Sequence, residues 1–309
     1  MDGARGTKPM PQLPSPGVDL GGDLLARIGA FATQLAAARE REEVGRRRTL
    51  RGDGQEFVGY RPYRPGEDLR RFDWELLARL DRPYVRVHRS EAREDWWVAV
   101  DASASMGVGR PGKLQSVAEA AAASIAVGLR LGAKITLVCS GGESARRPVH
   151  LTRTAELGRG LASLESLRAT GRGGLEDLVA NRALRAGARG CGRLLLFGDL
   201  LDVDPADVLR LLGGRRRLHL GQVLAPEEWD PAAVGDGDNA SAGASAFVDP
   251  ESGLRRRAGQ DLVRGLDGYE RSLEAFVGRW SELAAAHGMR HRVWSSADAF
   301  ERFLPDLLR

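Results

Sequence analysis

Polar side chains that could bind a metal ion follow an apolar run near residue 100. The run Val98–Val100 leads directly into Asp101, and hydroxyl side chains follow at Ser103 and Ser105. Ligands of open α/β sheets bind at the carboxyl ends of strands, so one loop can bring these oxygens to one point. Mg²⁺ prefers such oxygen ligands. The spacing therefore predicts a Mg²⁺ site, with the alternative that Asp101 caps the next turn and the serines bind loop amides.

A second carboxylate occupies the same kind of position. Asp199 follows the apolar run Leu194–Phe197, as Asp101 follows its own. Two carboxylates around an ion could also activate a water molecule, so a Mg²⁺-dependent hydrolase using Asp101 and Asp199 is the alternative to a binding module. No catalytic Ser-His-Asp or Cys-His grouping can be assembled from the positions of the five histidines. The glycine-rich segment at 171–174 lacks the lysine of a phosphate-binding loop. We therefore expect a non-catalytic protein.

The elements that must position these residues begin at Trp96. From there short apolar runs alternate with helical patterns, which predicts a doubly wound, mostly parallel α/β sheet. The expected strands are residues 97–100, 135–139, 193–197, 218–224 and 290–294, with an antiparallel edge at 148–151. The expected helices are residues 113–131, 155–167, 176–188, 205–212, 261–287 and 297–308.

The rest of the chain divides by composition. Residues 1–19 are rich in Pro and Gly and predict a disordered leader, and residues 20–95 predict an amphipathic helix at 23–41 followed by a small irregular α+β subdomain. Residues 96–309 form the α/β domain. Its insertion at 226–260 is rich in small and acidic residues and ends in a predicted hairpin at 247–256.

Charge and composition limit the function classes. The 309 residues have a net charge of +4, but arginine alternates with acidic residues instead of forming one basic stripe, so we expect no nucleic-acid partner. No apolar stretch is long enough to span a membrane. The two cysteines, Cys139 and Cys191, form no disulfide framework. These observations favour a cytoplasmic protein.

The motif Asp101-x-Ser103-x-Ser105 resembles the opening of the metal-ion-dependent adhesion site (MIDAS) in von Willebrand factor A domains. The resemblance covers residues 96–309, and Asp199 matches the later aspartate of such sites. The loop expected to supply a threonine departs from the pattern, which leaves Thr170, Glu176 and Asp177 as alternative ligands. We therefore expect Mg²⁺ to bind weakly.

Motifs before and after this segment are similar to those of the bacterial domain of unknown function 58 family. They read GDGQEF at 52–57, RPYRPGEDLRRFDW at 61–74, AR at 78–79, PEE at 226–228 and DPESG at 249–253. The resemblance implies an adaptor that works with an AAA+ ATPase of the MoxR type in chaperone-like assembly or maturation. The arginine-rich signature is interpreted as an ion-paired scaffold anchored by Trp74 or, alternatively, as a partner-binding surface. The residues of that surface would be Arg61, Arg64, Arg70, Arg71 and Arg79.

Overall fold

The computed structural model describes residues 17–46, 56–63, 72–89, 94–140, 147–171, 174–187, 190–212, 217–230, 246–248, 255–257 and 262–308. The strands are β1 (Glu56–Pro62), β2 (Tyr84–Arg89), β3 (Asp95–Val100), β4 (Lys134–Cys139), β5 (Val149–Leu151), β6 (Arg193–Gly198), β7 (Leu218–Leu224), β8 (Ala246–Val248), β9 (Arg255–Arg257) and β10 (Arg290–Ser295). The helices are α1 (Asp23–Arg46), α2 (Trp74–Leu80), α3 (Lys113–Arg130), α4 (Leu157–Glu165), α5 (Gly174–Ala180), α6 (Arg182–Gly187), α7 (Pro205–Leu212), α8 (Pro226–Trp229), α9 (Leu262–Ala286) and α10 (Phe300–Leu308).

A six-stranded sheet in the order β10-β7-β6-β3-β4-β5 forms the centre of the larger unit. All neighbouring pairs are parallel except β4 and β5, which are antiparallel. Every residue of β6 and β7 is buried, as expected for strands covered by helices on both faces. The prediction of a mostly parallel, doubly wound sheet is therefore confirmed.

Helix α3 packs closely on one face of the sheet because its residues are small. A Cβ atom at Gly128 would lie 2.6 Å from Ile135 Cδ1 and 2.8 Å from Trp96 Cε3. Glycine at this position lets the helix approach β3 and β4 more closely than any other residue would. The opposite face packs against α5, α6, α7 and α9, with Trp280 of α9 buried in that core.

The first described residues belong to the same unit as the sheet. Val18 and Leu20 are buried, and the Asp19 backbone N–H donates to Gln115 Oε1 at 2.9 Å. The expectation of disorder up to residue 19 is therefore wrong at residues 17–19, because the two apolar side chains find a place in the core. Farther along, Phe31 of α1 makes an edge contact with Phe300 of α10.

Residues 34–94 form a second compact unit, whereas the part of α1 up to Thr33 belongs with the sheet. In this unit β1 and β2 pair antiparallel, and Asp73 caps α2 by accepting the Leu76 N–H at 2.9 Å. The Trp74 ring lies tilted against that of Phe72, with 4.6 Å between the ring centroids, but 63% of the Trp74 surface is exposed. Trp74 is therefore not the buried anchor that its size predicted.

Two elements differ locally from the prediction, and the second difference has a side-chain cause. A 3₁₀ turn, Thr154–Glu156, precedes α4. The helix expected at 176–188 is divided into α5 and α6, because the Asn181 side chain accepts the Leu184 N–H at 3.1 Å and starts a new helix. The predicted hairpin appears as the antiparallel pair β8 and β9, and its turn lies outside the described residues.

Within the described part of the chain, every helix is too short or too polar to cross a lipid bilayer.

Candidate metal centre

Three aspartates meet at the carboxyl edge of the sheet. Asp101 follows β3, Asp199 follows the neighbouring strand β6, and Asp202 lies in the loop after Asp199. One carboxylate oxygen from each lies within 4.8 Å of the others. Because β3 and β6 are neighbours in the sheet, the two aspartates that follow them, Asp101 and Asp199, lie close together.

Asp101 is fully buried and only half satisfied. Its Oδ1 accepts hydrogen bonds from the Ser103 N–H at 2.8 Å and from Ser140 Oγ at 2.9 Å. Its Oδ2 is buried and has no hydrogen-bond partner among the described residues. A buried carboxylate oxygen without a donor is costly, and either a proton on the carboxyl group or a bound cation relieves that cost.

The electrostatics of the cluster point the same way. Burial, followed by the charge of Asp199, raises the pKa of Asp101 to about 7. The same two causes, in the same order, raise the pKa of Asp202. Carboxylates that cannot all ionise without mutual repulsion are stabilised by a positive charge placed among them.

Two glycines make room for the Asp101 side chain. A Cβ atom at Gly174 would lie 2.3 Å from Asp101 Oδ1, and one at Gly198 would lie 2.9 Å from Asp101 Cβ. The glycines at these positions are therefore required by close packing. In particular, Gly174 lets the start of α5 approach the carboxylate, which is a structural role for part of the glycine-rich loop at 171–174.

The hydroxyl candidates lie beside the cluster. Ser103 Oγ and Ser105 Oγ are 3.1 Å apart in the loop after Asp101. Thr170 donates its backbone N–H to Ala102 O at 3.0 Å, so its loop runs next to this one, but its own hydroxyl donates to Arg168 O at 3.4 Å.

The acidic candidates of the following loop lie elsewhere. Glu176 and Asp177 are exposed in the first turn of α5 and are not members of the cluster. Asp202 is the third carboxylate instead, and its Oδ2 accepts the Leu175 N–H at 3.1 Å. Asp202 stands three residues after Asp199, so its position in the same strand-end loop was the signal that could have identified it.

A buried lysine completes the charge distribution. Lys113, the first residue of α3, is fully buried and donates to Asp199 Oδ2 at 2.8 Å and to Glu228 Oε1 at 2.6 Å. Burial lowers the pKa of Lys113, but the charges and hydrogen bonds of Asp199 and Glu228 outweigh it and raise that pKa overall. The ammonium group is therefore charged. The signal in the sequence was the rarity of lysine, which occurs only at three positions.

Neighbouring strands hold the backbone of Asp199 in place. Gln222 of β7 is fully buried and donates from Nε2 to the Asp199 carbonyl at 2.8 Å. Its Oε1 lies 3.1 Å from His291 Nε2 of β10. The next residue, Leu200, is buried with a φ of 59°, a left-handed conformation that a branched residue rarely adopts. Such strain is typical of functional loops.

The arginine-rich signature belongs to the other unit. Arg79 is exposed in the last turn of α2, and Arg61 lies in β1. The other three arginines proposed as a partner surface, Arg64, Arg70 and Arg71, lie outside the described residues.

The fold and the cluster define an α/β protein with an acidic centre at the carboxyl edge of a mostly parallel sheet, in which Asp101 and Asp199 are buried and Asp202 is exposed. The chain belongs to the family described as protein of unknown function DUF58, whose model matches residues 59–264. Uncharacterized proteins of Mycobacterium bovis and of two strains of Mycobacterium tuberculosis are 34% identical to it over 214 residues. The match covers 66% of this chain and 63% of those relatives, so it spans less than two thirds of their length.

A solved structure also shows a low similarity. An aerotolerance-related membrane protein from Bacteroides fragilis superposes with a TM-score of 0.40 and 14% identity, over 70% of this chain and 96% of that one. This similarity is too low to support an argument about fold or function.

Proposed function

We propose that the chain is a non-catalytic binding module that captures a partner protein through a divalent cation, with Mg²⁺ as the ion. The observation that carries the proposal is Asp101 Oδ2, a buried oxygen in a cluster of three carboxylates, to which no described residue donates a hydrogen bond. The donors are all oxygens, which suits Mg²⁺ better than Zn²⁺.

The residues that would hold the ion are Asp101, Asp199 and Asp202, with Ser103 and Ser105 beside them. Bound Mg²⁺ supplies positive charge and coordination positions, one of which could accept a carboxylate of the partner. The protein's own groups keep the ligands in place: Ser140 orients Asp101, and Gln222 fixes the backbone of Asp199.

The identity of the partner is part of the same proposal. Membership of the DUF58 family and the MIDAS-like motif support a von Willebrand factor A-like adaptor that binds a MoxR-type AAA+ ATPase. A cytoplasmic location and a role in assembly or maturation go with this partner. The hydrolase alternative predicts turnover of an ester or phosphoester at the Asp101/Asp199 pair, and the adaptor predicts none.

The test is capture of a purified MoxR-type ATPase on immobilised protein, with ATP present, in Mg²⁺ and in EDTA. We expect capture by the parent in Mg²⁺, loss of capture in EDTA, and loss of capture by Asp101→Asn in both. Asp177→Asn is the matched control, because it removes an exposed carboxylate outside the cluster and should capture as the parent does. Equal capture by the parent and by Asp101→Asn under both conditions would overturn the proposal, and so would metal-dependent turnover of p-nitrophenyl esters or phosphates.

A further inference from the structure

The ammonium group of Lys113 already binds one of the carboxylates that an ion would need. Its Nζ lies 2.8 Å from Asp199 Oδ2, and neither side chain is open to solvent. The other oxygen of that carboxylate, Oδ1, accepts the Leu201 N–H at 3.3 Å. A divalent ion at the cluster would therefore meet an Asp199 side chain whose two oxygens already have partners.

A divalent ion and the ammonium also repel each other at this distance. Both would lie within a few ångströms of the same carboxylate, in surroundings that screen charge far less than water does. Lys113 has a second partner, however, since Glu228 Oε1 lies 2.6 Å from Nζ. Glu228 belongs to the short helix α8, is 15% exposed, and uses its other oxygen to accept the Ala225 N–H at 2.8 Å.

We propose that Lys113 is a resident cation that competes with the divalent ion for Asp199, and that Glu228 holds the ammonium when the ion is bound. This inference rests on the proposed metal centre and adds its regulation. Lys113 then controls the ion affinity of the centre without being a ligand of the ion. Ion binding is also linked to the position of α8, because α8 carries Glu228. Any change that moves Glu228 away from Lys113 returns the ammonium to Asp199 and weakens ion binding.

Four proteins test the competition by Mn²⁺ titration, with free Mn²⁺ measured by electron paramagnetic resonance. They are the parent, Lys113→Met, Glu228→Gln and the double variant carrying both changes. We expect Lys113→Met to bind Mn²⁺ at least tenfold more tightly than the parent, and Glu228→Gln to bind several-fold more weakly. The double variant has the net charge of the parent. It therefore distinguishes competition by the Lys113 ammonium from an effect of net charge on Mn²⁺ affinity. We expect it to bind as tightly as Lys113→Met within a few-fold.

Two results would overturn the inference. One is a folded Lys113→Met protein that binds no more tightly than the parent, and the other is a double variant that matches the parent. Ion binding by Lys113→Met but not by the parent would support the competition while contradicting an ion-dependent function of the natural chain. Absence of binding in all four proteins would overturn both proposals.

A measurement on the unaltered chain covers the case in which the Lys113 variants do not fold. Lysine occurs at three positions only, so ¹³C-labelled lysine side chains give a spectrum that can be assigned by single substitutions at Lys8 and Lys134. We expect the Lys113 ε-CH₂ signal to move saturably with Mg²⁺ while the other two stay in place. A Lys113 signal that does not move when the ion is bound would overturn the inference.

Discussion

Replacing Asp101 by Asn should stabilise the fold in a way that depends on pH. Burial, followed by Asp199, raises the pKa of Asp101 to about 7 from an ordinary value of 3.8. The folded state therefore holds a proton that the unfolded state has released between these two pH values. Stability is unaffected by this group below about pH 4, falls as pH rises toward 7, and stays low above it. Asn carries no charge at any pH, so the variant escapes this loss.

The size of the effect follows from the pKa difference. A shift of about three units corresponds to about 4 kcal/mol of unfolding free energy, which is the upper limit because Asp199 and Asp202 share the repulsion. Asn has the shape of Asp, so the space bounded by Gly174 and Gly198 still accommodates it. The variant should gain about 2–4 kcal/mol over the parent at pH 8, and much less at pH 5.

Urea melts in EDTA at several values between pH 5 and pH 8 measure this difference. Asp177→Asn serves as the control, because its carboxylate is exposed and its removal should leave the pH dependence of the parent intact. If the stability difference between Asp101→Asn and the parent were the same at pH 5 and pH 8, the raised pKa of this buried carboxyl group would be refuted.

Substitutions at Gly174, Trp74 and Arg27 test close packing, burial and a surface ion pair in turn, and Gly158→Ala is the control for the first. Gly174→Ala should lower stability by about 1–3 kcal/mol and weaken Mn²⁺ binding, because its Cβ would meet Asp101 Oδ1 at 2.3 Å. Gly158→Ala, in the first turn of α4 where an added Cβ atom would meet open space, should be neutral or stabilising in the same melts. Trp74→Ala should change the urea midpoint by less than about 1 kcal/mol, whereas a buried Trp would cost about 3–5 kcal/mol. Arg27→Ala should cost at most about 1 kcal/mol, since its pair with Glu301 is exposed, and 1 M NaCl should abolish most of that cost.

The central sheet could be predicted from the sequence because its strands carry their own signal. Buried parallel strands such as β6 and β7 are rich in apolar residues, and the six strands of the sheet lie within two residues of the expected positions. Residues 17–19 could not be predicted in this way, because Val18 and Leu20 are two isolated apolar residues in a Pro- and Gly-rich segment. Their burial depends on contacts between residues far apart in the sequence, such as the hydrogen bond from the Asp19 N–H to Gln115 next to them.

The sequence indicated the acidic cluster only through the residues that follow two apolar strands. Asp101 and Asp199 each follow an apolar run, and adjacency of β3 and β6 brings them together. Neither Lys113 nor Glu228 directly follows an apolar run, so the sequence gives no comparable indication of where they lie. They lie 115 residues apart and meet through tertiary packing, which spacing along the chain does not encode. The same holds for Gln222, whose role depends on the register between β6 and β7.

Crystals of the chain grown or soaked in MnCl₂ show through the anomalous scattering of manganese whether the cluster of Asp101, Asp199 and Asp202 binds a divalent cation. We expect one strong peak in contact with the carboxylates of Asp101 and Asp199, which disappears in Asp101→Asn crystals treated in the same way. No peak at the cluster in saturating Mn²⁺, with Lys113 still bound to Asp199, would contradict the proposed metal centre.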